Sequence, residues 1–245
     1  DPLGTFEVNV LGTVNVLEAV RAQRSVRAVV LVTSDKCYEN REWEHAYREN
    51  DPMGGHDPYS ASKGCAELVA AAYRRSFFNA RTVGIASARA GNVLGGGDWG
   101  RDRLIPDCVR ALVAGQPARL RNPDSIRPWQ HVLETCSAYM LLGTKMLEDP
   151  LTYSDAFNFG PMSAADLTVR QLASMFAEAW GGGSIETVPG DPSAGHEARS
   201  LRLSVEKAVE AGNLTGLPVM VDFGWFEPSK PYPVLVTEKL RPGDI

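Results

Sequence analysis

The feature that most constrains this chain is an unbroken apolar run, Arg27-Ala28-Val29-Val30-Leu31-Val32-Thr33, that stops abruptly at Ser34-Asp35-Lys36. A strand with no polar alternation needs cover on both faces, which is the situation of a parallel sheet flanked by helices. In such sheets ligands sit beyond the carboxyl ends of the strands. Ser34, Asp35 and Lys36 are therefore candidate site residues by position alone. A second segment, Asp57-Pro58-Tyr59-Ser60-Ala61-Ser62-Lys63, reads as a helix N-cap followed by proline at the first helical position. Tyr59 and Lys63 then fall at i and i+4, on one helix face.

These residue types suit removal of a hydride from an alcohol. A phenol is too weak an acid to serve as a base at neutral pH, but an ammonium beside it favours the phenolate. The Ser34 hydroxyl can hold a substrate alcohol while Tyr59 takes its proton and the carbon releases hydride. Each piece alone has a plainer explanation: Asp35 and Lys36 as a polar strand end, the Tyr-x-x-x-Lys spacing as coincidence. Their joint occurrence carries the argument.

The rest of the chain alternates strand and helix as a doubly wound α/β fold does. Val10, Val14, Leu17 and Val20 predict a helix over Val8 to Arg21, with Gly12 lowering its propensity. Cys37 to Gly55 is a long, charged and aromatic loop over the site. The helix opened by Asp57 runs to about Phe78, and Thr82 to Arg89 is another short apolar strand. A helix from about Leu104 to Val113, an irregular strand region from Arg119 to Val132, a helix from about Glu134 to Leu147 and a strand at Ala156 to Phe159 follow. Thr168 and Gln171 form a capping box for a helix ending at Gly181. The expected divisions are 1–90, carrying the catalytic residues, 91–208, a substrate-binding region that returns to the sheet near 130–160, and an unassigned tail over 209–245.

Bulk properties exclude several function classes. The 245 residues are 44% hydrophobic and 22% charged, as in a soluble globular protein. A net charge of −5, with no basic run, argues against a nucleic-acid partner. No apolar stretch approaches the ~20 residues that span a bilayer, and Asp1-Pro2-Leu3-Gly4 is not a signal-peptide pattern. Cys37, Cys65, Cys108 and Cys136 form no C-x-x-C pair and have no neighbouring histidines. No metal is expected, and the cysteines read as reduced thiols of a cytoplasmic protein. Gly95-Gly96-Gly97-Asp98-Trp99-Gly100 matches G-x-G-x-x-G literally. It lies beyond its strand, carries a bulky Trp99 where backbone must approach a pyrophosphate, and lacks a following strand-end acid, so it is rejected as a dinucleotide loop.

Tyr59-Ser60-Ala61-Ser62-Lys63 resembles the signature of extended short-chain dehydrogenases acting on nucleotide sugars. Thr33 to Asn40, Gly91 to Trp99 and Arg127-Pro128-Trp129-Gln130-His131-Val132 are similar to the branch of 4,6-dehydratases that act on CDP-sugars. Relatives acting on TDP-sugars carry Thr-Asp-Glu where this chain has Ser34-Asp35-Lys36. The resemblance covers roughly Asp1 to Ala208. It implies a partial Rossmann-type doubly wound parallel sheet with its first strands missing, plus a smaller mixed α/β substrate domain. It also implies NAD as cofactor, contacted by Tyr59 and Lys63, and CDP-glucose or a similar nucleotide sugar as substrate.

In that reading Tyr59, Lys63 and Ser34 oxidise C4, and Asp35 protonates the departing C6 hydroxyl. Lys36 is either an unusual base or an electrostatic stabiliser, since an ammonium is a poor base. Asn92, Arg127 and Asn158 hold the nucleotide sugar, chiefly its diphosphate. Arg127 as a surface ion-pair residue, His131 as a packed histidine and Trp99 as core or pocket wall are the plainer alternatives. A homodimer through the helices Val8–Arg21 and Tyr59–Phe78 is implied. The strands bearing the pyrophosphate loop and the ribose-binding acid are expected to be missing. This polypeptide is then expected to bind NAD poorly, to turn over little and to leave Ala28 to Val32 at an open sheet edge. Another 4,6-dehydratase, a 4-epimerase or a non-catalytic sugar-nucleotide-binding fragment are the competing readings.

Overall fold

The chain begins with a capped helix. Asp1 accepts a hydrogen bond from the Gly4 backbone N at 3.1 Å, and Pro2 occupies the first turn, where its missing N–H costs nothing. In this computed structural model, residues 1–78, 83–161, 167–189 and 199–214 are described. Helix α1 (Pro2–Phe6) passes through a π turn (Glu7–Leu11) into α2 (Gly12–Ala22). The helix thus starts earlier than the apolar rhythm indicates, because a single wide turn leaves the later i, i+4, i+7 pattern unchanged. At that turn Asn9 donates to Ser62 Oγ at 2.9 Å, tying α2's entry to the next long helix.

Strand β1 (Ala28–Val32) follows, then α3 (Pro58–Ser76), capped as expected by Asp57, which accepts from Ser60 N at 3.0 Å. Strand β2 (Gly84–Ala90) agrees with the expected strand from Gly84 on; Thr82, where that strand was placed to start, lies outside the described residues. A short β3 (Val93–Leu94) leads to α4 (Leu104–Val113), which ends before Gly115 in the left-handed region at φ 65°. Strands β4 (Ala118–Leu120) and β5 (Gln130–His131) resolve the irregular region. Helix α5 (Val132–Glu148), a one-turn α6 (Pro150–Tyr153), β6 (Ala156–Phe159), α7 (Val169–Ala179), β7 (Ile185–Thr187) and α8 (Glu206–Glu210) complete the described elements.

The main sheet has the order β1-β2-β6 and is parallel throughout. Its register runs from Ala28↔Gly84 to Val32↔Ala88, and from Ser87↔Ala156 to Ala90↔Phe159. The apolar run of β1 is explained by cover on both faces. Val29 and Leu31 pack with Leu17, Val20, Phe78 and Ile85 on the α2–α3 side. Ala28 and Val30 pack with Ala138, Leu142, Met146 and Phe157 on the α5 side. Full burial of side chains such as Leu17, Leu142 and Met146 contributes about 1.5–3 kcal/mol each. Among the described residues β1 is an edge of this sheet.

A smaller lobe is built from α4, α7 and the parallel pair β4–β7 around Cys108, Ala118, Leu120, Ala173 and Phe176. The capping box at Thr168 forms in full: Gln171 N donates to Thr168 Oγ1 at 3.2 Å and Thr168 N to Gln171 Oε1 at 2.8 Å. Two sequence expectations need correction. His131 is no packed core histidine: it caps α5 through Leu133 N to Nδ1 at 3.2 Å, with Glu134 completing the box. Trp99 lines neither core nor cleft, being 68% exposed. The tail is described only to Leu214, which joins Ala208 of α8 in packing onto the sheet core; the Phe223 to Pro228 segment lies outside the described residues. Among the described residues no helix is long and apolar enough to cross a membrane.

Candidate active site

The carboxyl ends of β1 and β2 open into a cleft of about 610 Å³ between the sheet and the smaller lobe. Ser34, Asp35, Lys36 and Tyr59 line one part of it, and Asn92 and Arg127 another. The two segments singled out in the sequence therefore meet. After β1 the chain enters a single 3-10 turn, Asp35–Cys37, capped by Ser34, whose Oγ accepts from Lys36 N at 3.2 Å. The same hydroxyl donates to Asp35 Oδ1 at 3.1 Å. The loop that follows presses against α3 at Gly64, where a Cβ would come within 3.2 Å of the Cys37 carbonyl oxygen. Glycine at that helical position lets the Asp35–Cys37 turn lie against the helix bearing Tyr59.

Asp35 is the most unusual group of the site. It is 4% exposed, and its Oδ2 has no hydrogen-bond partner. Burial pushes its carboxyl above the ordinary range, and Lys36, the Ser34 hydroxyl and Arg127 offset only part of that. Tyr59 is 46% exposed, so its phenol is available to a ligand. The Lys63 ammonium sits 5.8 Å from the Tyr59 ring centroid. Burial lowers the Lys63 pKa against the opposing charge of Glu67.

Beneath these groups lies a buried polar chain that sequence reasoning did not find. Glu67, one turn beyond Lys63, accepts from Thr33 Oγ1 at 2.5 Å, Ser87 Oγ at 2.7 Å and Arg89 Nη2 at 2.8 Å. Arg89 Nη1 donates to the Tyr38 hydroxyl at 2.8 Å, which donates to Asn158 Oδ1 at 2.6 Å. Its sequence signal was the i+4 step from Lys63, which puts Glu67 on the face α3 turns toward β1 and β2.

Asn92 lines the cleft, next to Gly91, where a Cβ would fall 2.3 Å from Pro128 Cγ. Arg127 is 3% exposed, lines the cleft and donates to the Ile126 carbonyl at 2.9 Å, so it is a buried cleft residue and not a surface one. Asn158 departs from expectation. It is fully buried away from the cleft lining, and its Nδ2 donates to the carbonyls of Tyr47 at 2.9 Å and Ser204 at 3.1 Å. With Tyr38 on its Oδ1, its amide is committed to holding the 38–49 loop on β6. A side chain two residues into a parallel strand points toward a covering layer, and here that layer is the loop. Tyr139 of α5 and Asp102, Arg119 and Arg121 of the smaller lobe also line the cleft and were not anticipated.

A buried acid, an exposed phenol with an ammonium beside it and a serine thus share one cleft at the carboxyl end of a parallel sheet, where α/β folds hold their ligands. The family described as GDP-mannose 4,6 dehydratase matches residues 1–156, and the chain belongs to that family. It is 49% identical over 212 residues to the CDP-glucose 4,6-dehydratase of Salmonella typhimurium, covering 84% of this chain and 59% of that enzyme. The chain thus spans well under two thirds of that relative's length. It is 27% identical over 243 residues to the dTDP-glucose 4,6-dehydratase of Streptomyces antibioticus, covering 94% of this chain and 68% of the relative. The fold matches the dTDP-glucose 4,6-dehydratase of Bacillus anthracis, solved in complex with NAD, with a TM-score of 0.72 and 24% identity over 86% of this chain and 63% of that one. It also matches the epimerase Mth375 of Methanothermobacter thermautotrophicus with a TM-score of 0.75 and 22% identity, covering 89% and 62%.

Proposed function

We propose that this chain carries the catalytic and sugar-binding part of a CDP-glucose 4,6-dehydratase, which converts CDP-glucose to CDP-4-keto-6-deoxyglucose and water. The observation that carries the reading is Asp35, a buried carboxyl with one unpartnered oxygen, set beside Tyr59 in one cleft. A 4-epimerase needs no acid to expel a C6 hydroxyl, whereas a 4,6-dehydratase does. The 49% identity to the Salmonella enzyme, against 27% to the TDP-glucose relative from Streptomyces, supports the CDP-sugar over its alternatives. We assign residues 1–90 to the catalytic half of the dinucleotide domain and 91–208 to the sugar-nucleotide region. The apolar side chains of Leu3, Val8, Leu11 and Leu68, exposed on the first helices and α3, support a homodimer through that face. A cytoplasmic location belongs to the same reading.

The family's NAD fits the reacting end of this cleft. Tyr59 faces it, the Lys63 ammonium lies over the tyrosine ring, and the β1 end leaves Val32 56% exposed. Among the described residues no strand-to-helix glycine turn offers a pyrophosphate cradle. The Gly95–Gly100 stretch is closed by its own Asx turn, Gly100 N to Asp98 Oδ1 at 2.9 Å. NAD⁺ supplies a reversible hydride acceptor when bound. In this chain Tyr59 takes the proton from the C4 hydroxyl, with Lys63 favouring its phenolate and Ser34 orienting the oxygen. The C4 ketone acidifies the C5 hydrogen, and the elimination that follows needs a proton on the C6 oxygen. Asp35, whose carboxyl burial pushes above the ordinary range, gives that proton as water leaves. The C5 proton passes to Lys36, whose ammonium then stabilises the enolate charge, and it returns to C5 as the hydride taken from C4 is delivered to C6, which leaves the 4-keto-6-deoxy sugar.

The test supplies CDP-glucose, TDP-glucose and GDP-mannose with NAD⁺ and follows the alkaline absorbance of a 4-keto sugar. The expected result is keto product from CDP-glucose above the other two. A C4 epimer with no keto sugar would overturn the proposal in favour of an epimerase.

A further inference from the structure

The smaller lobe presents a row of cations to the cleft, and they are not held alike. Arg127 is buried against backbone carbonyls. Arg119 pairs at 3.4 Å with Glu186, its register partner across β4 and β7. Arg103 pairs with Asp98 inside one loop at 3.2 Å. Arg121 joins β4's end to the loop before α4, its Nη2 donating at 3.1 Å to Asp102, 19 positions away. Both side chains line the cleft and both face solvent, at 45% and 77% exposure. Asp102 holds a left-handed backbone at φ 59°, a conformation uncommon outside glycine that aspartate tolerates better than most residues.

We infer that Arg121 is a further ligand-binding residue, exchanging Asp102 for a phosphate oxygen of the incoming sugar nucleotide; this rests on the reading of the cleft given above. An exposed single-contact pair contributes little to stability, so it opens readily. A phosphate offers the guanidinium two parallel bonds in place of one. The exchange leaves Asp102 beside a bound diphosphate, and that like-charge repulsion weakens the complex. Asp102 therefore masks Arg121 in the empty cleft and limits affinity in the filled one. The carboxylate is a counter-ion, not a member of the reacting set.

The experiment measures binding of CDP-glucose and inorganic pyrophosphate by calorimetry to the unaltered chain, Arg121→Gln, Asp102→Asn and the double variant. Both positions are exposed, so the variants are expected to fold, and circular dichroism checks that they do. Arg121→Gln is expected to weaken both ligands about 10-fold, and Asp102→Asn to tighten them about 3-fold. The tightening is expected to vanish in the Arg121→Gln background, because there is then no cation to unmask. An equal tightening in that background would make Asp102 a diffuse repulsive charge and overturn the inference. Unaltered CDP-glucose binding in Arg121→Gln would overturn it too while leaving the proposed function standing. No CDP-glucose binding by the unaltered chain would overturn both.

Discussion

Two carboxylates lie buried near the end of the same sheet, and their surroundings separate their roles. Glu67 collects three donors, among them a guanidinium 2.8 Å away, and both partners are at most 2% exposed. Burial alone would raise its pKa, but Arg89 and the hydroxyls of Thr33 and Ser87 outweigh burial and hold it below the ordinary range. Asp35 has one hydroxyl on one oxygen and nothing on the other, and burial wins. Buried carboxylates with a full set of donors are structural members of a core. One left half-satisfied at a cleft is a candidate proton donor, the role proposed for Asp35.

The largest effect is expected at Glu67. Glu67→Gln leaves Arg89 buried without a counter-charge and is expected to cost about 3–5 kcal/mol in urea unfolding followed by tryptophan fluorescence. Replacing both partners, Glu67→Gln with Arg89→Met, is expected to recover part of that loss. A single variant as stable as the unaltered chain would break the contrast at its structural end. The pH dependence follows from a lowered folded pKa. Stability from Glu67 is present above the ordinary carboxylate range and is lost as pH falls through the folded value.

Asp35 carries the opposite sign. Its folded pKa is raised, so the stability it contributes is present below the ordinary range and is lost as pH rises through the folded value. Asp35→Asn is therefore expected to match the unaltered chain in acid and to exceed it increasingly in stability toward neutral pH. Where turnover is measured, the same change is expected to lower keto-sugar formation about 10²-fold, as loss of a general acid does. A variant that loses stability at pH 7 would place Asp35 with Glu67 and sink the distinction.

The sequence displayed one side of this comparison and concealed the other. The β1 run, the Asp57-Pro58 start of α3, the limits of α4 and the Thr168 box were legible because each rests on a local rule: apolar continuity, capping or proline placement. Ser34, Asp35 and Tyr59 were legible as one site because a parallel strand end and a helix start face the same side of a sheet. What remained hidden depends on long-range packing. Asn158 turns to a loop that starts 120 residues earlier at Tyr38. Arg89 meets Glu67 across 22 residues, and Arg121 meets Asp102 across 19. A histidine cap lies outside the usual serine, threonine and aspartate set, so His131 carried no helix-start signal.

Local rules also set the next expected effect. Thr168→Ala removes the hydroxyl that accepts from Gln171 N and is expected to cost about 1 kcal/mol, read as a lower urea midpoint. Because α7 packs Ala173 and Phe176 against Leu120 beside the cleft, the same variant tests whether the smaller lobe melts with the main sheet. Coincident tryptophan and circular dichroism transitions are expected. An early, separate step would mean that the lobe carrying Arg121 unfolds on its own, away from the acid at β1.

The smallest effect sharpens the comparison most, because it repeats the Glu67–Arg89 chemistry in water. Arg119 and Glu186 face each other across β4 and β7 at 3.4 Å, with side chains 71% and 49% exposed. Solvent screens the pair, and two long side chains lose rotamer freedom to form it. Glu186→Gln is expected to change stability by less than about 1 kcal/mol and to do so less in 1 M salt, where the Debye length is about 3 Å. The few-fold difference expected between this variant and Glu67→Gln measures what burial does to one ion-pair chemistry. Should the exposed pair prove as costly to break as the buried one, depth would not be what separates the structural carboxylate from the reactive one, and the donor count around Asp35 would have to carry that distinction alone.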